Sequence, residues 1–130
     1  MSNNIKTTDS NMSIFGFQVV EIQGHQVLAP SGYIDLHTAH QFKEAVMCIL
    51  DGDEQHLIID MNDVSYVDSS GLGIFVSALK RVIPIGGTVN LVGCNPRVSH
   101  QFYTTHLSSF IALHENMDDA IEAISTPISQ

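Results

Sequence analysis

The sequence predicts an α/β fold: one domain with a mixed sheet of about five strands and four helices, in the order β-β-α-β-α-β-α-β-α. Three observations carry this expectation. After an opening pair of strand-like segments, strands and helices alternate, which implies a mainly parallel or mixed sheet with helical cover. Leu57-Ile58-Ile59 is short and wholly apolar, as suits a central strand covered on both faces. The chain has 130 residues, of which 44% are hydrophobic, enough for one sizeable core but not for two domains.

Each element has its own signal. Residues 1–13 are polar and punctuated and read as a loose arm. Aromatic and β-branched residues from Phe15 to Ile22 mark a strand, Gln23-Gly24 a turn, and Val27 to Ala29 a second strand that Pro30-Ser31-Gly32 ends. A helix follows from about His37 to Leu50, because Ala39, Phe42, Val46 and Ile49 recur at the spacing of one buried face. Asp51-Gly52-Asp53 closes it, with Gly52 suited to a left-handed cap. The apolar strand at Leu57 and a short link lead to the clearest helix, Ser70 to Ile83, stopped by Pro84 and Gly86-Gly87. Thr88 to Val92 is strand-like. Asn95 caps a helix with Pro96 at its first position, and Val98 and Phe102 face inward. Phe110 to Leu113 is the last strand. Asn116 caps a final helix in which Asp118 and Asp119 complement the dipole and Ala120, Ile121 and Ile124 face inward. The expected division is an arm over 1–13, the domain over 14–126 and a tail over 127–130.

Composition narrows the function. Five basic residues stand against 14 acidic ones, for a formal charge of −9. Such a chain repels phosphate backbones, and its few cations form no basic stripe, so nucleic acid is not the expected partner. A basic or mixed-charge protein surface fits better. No apolar run approaches the roughly 20 residues of a membrane helix, and the polar start lacks the order of a secretory signal. The expected location is therefore the cytoplasm, without a membrane partner. Cys48 and Cys94 form no CxxC pair and read as small buried apolar side chains.

Catalytic constellations are not evident. No GxSxG elbow, Walker loop, dinucleotide fingerprint or paired cysteine motif occurs, and neither an enzyme nor a cofactor is expected. His37 and His40 lie three apart beside Asp35, but such pairs are common on solvated helix faces and do not make a metal site. His100, His106 and His114 are scattered. Asp60, Asp63 and Asp68 trail the central strand, where ligands of open α/β sheets often bind; structural or partner-facing roles suit them better.

The segment Asp68-Ser69-Ser70-Gly71-Leu72-Gly73 stands apart. A serine ahead of an apolar periodic run is an ordinary helix cap. Two glycines within one turn are not ordinary, since each costs a helix roughly 1 kcal/mol relative to alanine. They suggest a backbone kept bare for close approach. A helix start also offers free N–H groups and partial positive charge to a phosphate. Further along, Leu72, Val76, Leu79 and Ile83 form an inward stripe widened by Phe75 and Val82. This stripe places Ile74 outside, as a candidate partner contact.

With Met61 to Val67 before it, that segment resembles the signature of STAS-domain anti-sigma-factor antagonists, the SpoIIAA-like group. Gly32-Tyr33-Ile34-Asp35 resembles the family's turn into its first helix, although Tyr33 stands where an acidic residue is often found. Val89 to Pro96 resembles its strand leading into the third helix, and the likeness runs from about Phe15 to Ile124. The resemblance implies a STAS-like fold and a partner switch. Ser69 would be phosphorylated by an anti-sigma factor with an ATP-binding serine-kinase fold, Ser70 being the less favoured acceptor, and a PP2C-type phosphatase would reverse this. The bare form would bind the kinase and free its client. Asp35, Asp68, Ser69, Ser70, Gly71, Leu72, Gly73 and Ile74 would form the contact surface. The alternative is a passive STAS scaffold or assembly module without phosphorylation control. The oligomeric state, the client and the upstream signal are left open.

Overall fold

A computed structural model describes residues 15–52 and 54–125; the expected arm and tail lie outside these residues, as does Asp53. The described residues begin with a hairpin of β1 (Phe15–Ile22) and β2 (His25–Ile34), followed by α1 (Ala39–Leu50), β3 (His56–Asp60), β4 (Asp63–Val67), α2 (Ser69–Val82), β5 (Thr88–Val92), α3 (Pro96–Thr104), β6 (Ile111–His114) and α4 (Met117–Ser125). One-turn 3-10 helices at Ile83–Ile85 and Leu107–Ser109 follow α2 and α3. The sheet runs β1-β2-β3-β5-β6, with β4 also paired to β2. Among the described strands only the β1–β2 pair is antiparallel.

The hairpin turn has φ of 51° at Gln23 and 85° at Gly24, the positive pair whose twist matches flanking strands. Pro30-Ser31-Gly32 does not end β2, contrary to the sequence expectation. On the side away from β1, β2 pairs first with β3 at Val27 and Leu28, then with β4 from Ser31 onward. Pro30 falls in the gap, where its missing N–H costs that ladder nothing.

The sixth strand, β4, occupies what reads in sequence as a link. Gly32 pairs with Val64 but Tyr33 with Tyr66, so Ser65 is an extra residue. The bulge spaces the buried Val64 and Val67 three apart and erases the period of two that marks a strand.

Two apolar layers flank the sheet. One joins its first face to α1, α2 and α3; along it a file of rings runs Phe15–Phe42–Phe75–Phe102 with centroids 6.4, 5.3 and 5.1 Å apart. The other is smaller, with Val27, Ile58 and Val92 packed on Ala120 and Ile121 of α4. The end of α1 is closed by α2 rather than by glycine. The Arg81 guanidinium donates to Leu50 O at 3.2 Å and to Asp51 Oδ1 at 2.9 Å. Gly52 is not left-handed, and its N–H donates to Ile49 O at 3.2 Å.

Candidate functional site

Parallel pairing of β2 with β4 delivers two chain segments to one end of the sheet: the turn 35–38 into α1, and Asp68 into α2. The turn is tied by its own side chains. Asp35 Oδ1 accepts from His37 N at 2.9 Å, and Asp35 N donates to Thr38 Oγ1 at 2.9 Å. Thr38 Oγ1 donates to Tyr33 O at 2.7 Å. Asp35 thus shapes the turn beside the site.

Asp68 joins this turn to α2. Its N–H donates to Ile34 O at 3.0 Å. Its Oδ1 accepts from Ser70 N at 2.8 Å and Gly71 N at 3.1 Å, and its Oδ2 accepts from Leu36 N at 3.1 Å. Asp68, rather than a serine, is the cap of α2, and the carboxylate complements the positive end of the helix. From α3, Gln101 Nε2 donates to Val67 O at 2.6 Å.

Held in this way, Ser69 is the first residue of α2 and is exposed, whereas Ser70 is half-buried. Leu36, whose N–H is bound by Asp68, is 74% exposed. Tyr33 and Tyr66 meet edge to face, with centroids 5.9 Å apart. They line a groove of about 570 Å³ that continues past Asn95 and Pro96 to Arg97. Sequence reading missed Leu36, Tyr66 and Arg97 as surface. Tyr66 lies on β4, which reads in sequence as a link, Arg97 sits in the first turn of α3, and Leu36 is held by Asp68 from 32 positions away.

The two glycines part company. A Cβ on Gly71 would lie 2.7 Å from Ile34 Cγ2, 2.8 Å from Val67 Cγ1 and 3.0 Å from Ile34 O. That glycine lets α2 sit tightly on β2 and β4, an internal purpose. A Cβ on Gly73 would meet nothing within 4 Å, so it is the residue left bare toward the outside.

Ile74 is not a surface contact. It is 6% exposed and lies in the core, whereas Ile83, assigned to the inward stripe, is 53% exposed. The buried face of α2 is Gly71, Ile74, Phe75, Ala78, Leu79 and Val82. Its smallest members, Gly71 and Ala78, carry little hydrophobic weight in a sequence pattern. The stripe therefore read as turned toward Leu72 and Val76, which are half-buried.

Other expectations resolve locally. Cys48 is exposed on α1 rather than buried, on the flank turned toward β1 beyond the inward face of Phe42, Val46 and Ile49. Cys94 is half-buried, and burial pushes its thiol up to about 12. His40 pairs with Glu44 at 3.1 Å, and Asp60 Oδ1 accepts from Asn62 N and Nδ2 at 3.0 and 2.7 Å. Among the described residues no three of His, Cys, Asp and Glu are grouped to hold a metal ion, and no helix is long and apolar enough to cross a membrane.

A family model described as the STAS domain matches residues 16–120. The anti-sigma-B factor antagonist of Bacillus subtilis (strain 168) is 30% identical over 92 residues, covering 71% of this chain and 84% of that one. The solved structure of the anti-sigma factor antagonist SpoIIAA in its unphosphorylated form matches with a TM-score of 0.73 at 20% identity, over 88% of this chain and 100% of that one. The phosphorylated form of the Bacillus SpoIIAA matches with a TM-score of 0.64 at 20% identity, over 84% and 99%. By sequence and by fold, the chain belongs to the STAS-domain family, in the group of anti-sigma-factor antagonists.

Proposed function

We propose that this chain is a cytoplasmic, phosphorylation-controlled partner switch without enzymatic activity of its own. In its bare form it binds an anti-sigma factor of ATP-binding serine-kinase fold and frees that factor's client. Phosphate on Ser69 ends the binding, and a PP2C-type phosphatase restores it. The observation that carries this reading is the placement of Ser69: exposed at the first position of α2, on a helix start pinned by Asp68, beside the exposed Leu36. Asp35, Asp68, Ser70 and Leu72 hold the surface in shape, and Gly73 leaves it bare. SpoIIAA, whose fold this chain shares, exists in both phosphorylation states.

The physics needs little. A phosphoserine brings about −1.5 to −2 charges at neutral pH. A partner seated over Ser69 strips water from that charge, and any carboxylate it brings close is repelled. One unit-charge pair at 4 Å with an effective dielectric near 20 is worth roughly 4 kcal/mol before screening. A third of that shifts an equilibrium about tenfold.

The test uses the kinase that co-purifies with the chain from its host. Bare, Ser69-phosphorylated and Ser69→Ala chains are titrated against it by calorimetry, with circular dichroism as the folding control. Bare and Ser69→Ala chains should bind alike, and the phosphorylated chain at least about tenfold more weakly. Equal affinities for bare and phosphorylated chains would refute the switch and favour a passive scaffold.

A further inference from the structure

Among the described residues, the first strand of the sheet is an unguarded edge. β1 pairs with β2 along all eight of its residues without a bulge, and no strand lies on its outer side among the described residues. Edges of soluble proteins are usually blunted by lysine, proline, a bulge or shortness. Phe15–Ile22 has none of these, and its only charge is Glu21. Phe17, Val19 and Val20 are 48%, 44% and 39% exposed. On the helical side, Phe17 and Val19 border a groove of about 410 Å³ whose other wall includes Ala45, Cys48 and Ile49 of α1. An apolar strip whose outer backbone groups meet no strand among the described residues calls for another strand rather than for a small ligand.

We infer that the occupant is a second copy of this chain, paired β1 to β1 in antiparallel register across a two-fold axis. The sequence of β1 is self-complementary in that arrangement. A two-fold axis normal to the sheet keeps both α1 helices on one face, which requires odd residues to pair with odd and even with even. Centred on Gln18, the axis pairs Phe17 with the second copy's Val19 on the helical face. It sets Gly16 against Val20 on the other face, and Glu21 against Phe15. The apolar Phe17–Val19 pair occurs twice, once on each side of the axis; the two Gln18 residues meet at the axis, and the two glutamates stand at opposite ends of the seam, each at the rim beside a Phe15. The α1 grooves adjoin across the same axis. With nine net negative charges per chain, the bodies of the two copies repel while the seam itself is nearly neutral. Added salt therefore tightens the dimer. The pairing is independent of the switch, because Ser69 lies at the start of α2 and not on β1.

Sedimentation equilibrium of the full chain, with hydrogen exchange read along β1, tests this. The expected result is an apparent mass rising with concentration from 14.2 kDa toward twice that value. β1 amides should become slower to exchange over the same range. Phe17→Lys and, separately on the opposite face, Val20→Lys should each weaken association by about tenfold or more with circular dichroism unchanged, while Ser69→Asp leaves it intact. A bismaleimide should link the dimer through the exposed Cys48. A chain that stays monomeric, or a dimer indifferent to both lysines, overturns the inference. So does β1 protection that is the same at every concentration, which would assign the edge to the chain's own residues before Phe15.

Discussion

Replacing each glycine of the Asp68–Gly73 segment by alanine separates packing from recognition within a single helical turn. At Gly73 the added methyl meets open space. Alanine relieves the helix of the glycine cost of about 1 kcal/mol, so Gly73→Ala should stabilise the isolated domain by about that amount, or about 3–5 °C in midpoint for a chain of this size. At Gly71 the same helical gain is opposed. The new Cβ would stand 2.7 Å from Ile34 Cγ2 and 2.8 Å from Val67 Cγ1, both fully buried side chains, and 3.0 Å from the backbone oxygen of Ile34. Over-packing of this kind costs about 1–3 kcal/mol, which leaves Gly71→Ala neutral to about 2 kcal/mol destabilised.

Urea denaturation followed by circular dichroism measures both variants, and the kinase titration is then repeated with each. Gly73→Ala should bind less well although its fold is firmer, because Gly73 lies one turn beyond Ser69 on the outward side. Gly71→Ala should lose stability while any chain that remains folded binds normally. If Gly71→Ala proves as stabilising as Gly73→Ala, the close approach of α2 to β2 and β4 is not what requires glycine there. If Gly73→Ala binds at full strength, no partner approaches that turn.

Asp68→Ala removes the acceptor of three backbone N–H groups and should cost about 1–2 kcal/mol in thermal or urea unfolding; an unchanged midpoint would mean that water replaces the cap without penalty. Ile74→Asp buries a carboxylate at a core position and should unfold the domain or cost about 3 kcal/mol or more, whereas Ile74→Val should cost about 0.5–1.5 kcal/mol; a folded, stable Ile74→Asp would return this residue to the surface. His114 is held below its ordinary value of 6.5, first by burial, so protons bind the unfolded chain more readily. Its contribution to stability is present above about pH 6.5 and lost as pH falls through the lower folded value, and His114→Gln should flatten the acid side of the stability profile.

The fold was legible where one residue type controls one local geometry. Asn95 and Asn116 cap their helices as the sequence implies, accepting from Val98 N at 2.8 Å and Asp119 N at 2.9 Å. Thr88–Val92 is a strand with the predicted ends. What could not be read depends on a second chain segment. The path of β2 through Pro30 makes sense only once β3 and β4 share its far side, and β4 is hidden by the bulge at Ser65. The phase of α2 depends on which face carries its smallest residue, a fact that only the approach of Ile34 and Val67 decides. In the site, Ser69 was legible from its motif, and Leu36 was not, because its neighbour Asp68 is 32 positions away in sequence.

Asp68 also changes how a phosphate on Ser69 would be received. A bare helix start would welcome the anion, since free N–H groups and the dipole favour it by about 0.3–1 kcal/mol at an exposed site. Here the N–H groups of Ser70 and Gly71 already point at Asp68 Oδ1. A phosphate one residue away must either share them with a carboxylate or displace it. Displacement would also free Leu36 N from Asp68 Oδ2 and loosen the turn that presents Leu36. Sharing keeps the turn but crowds two anionic groups at one helix end. In both cases the helix start gives the phosphate less compensation than the motif suggests. The penalty then falls on the surface around Ser69, where a partner would have to sit, and not on the sheet and core beneath it.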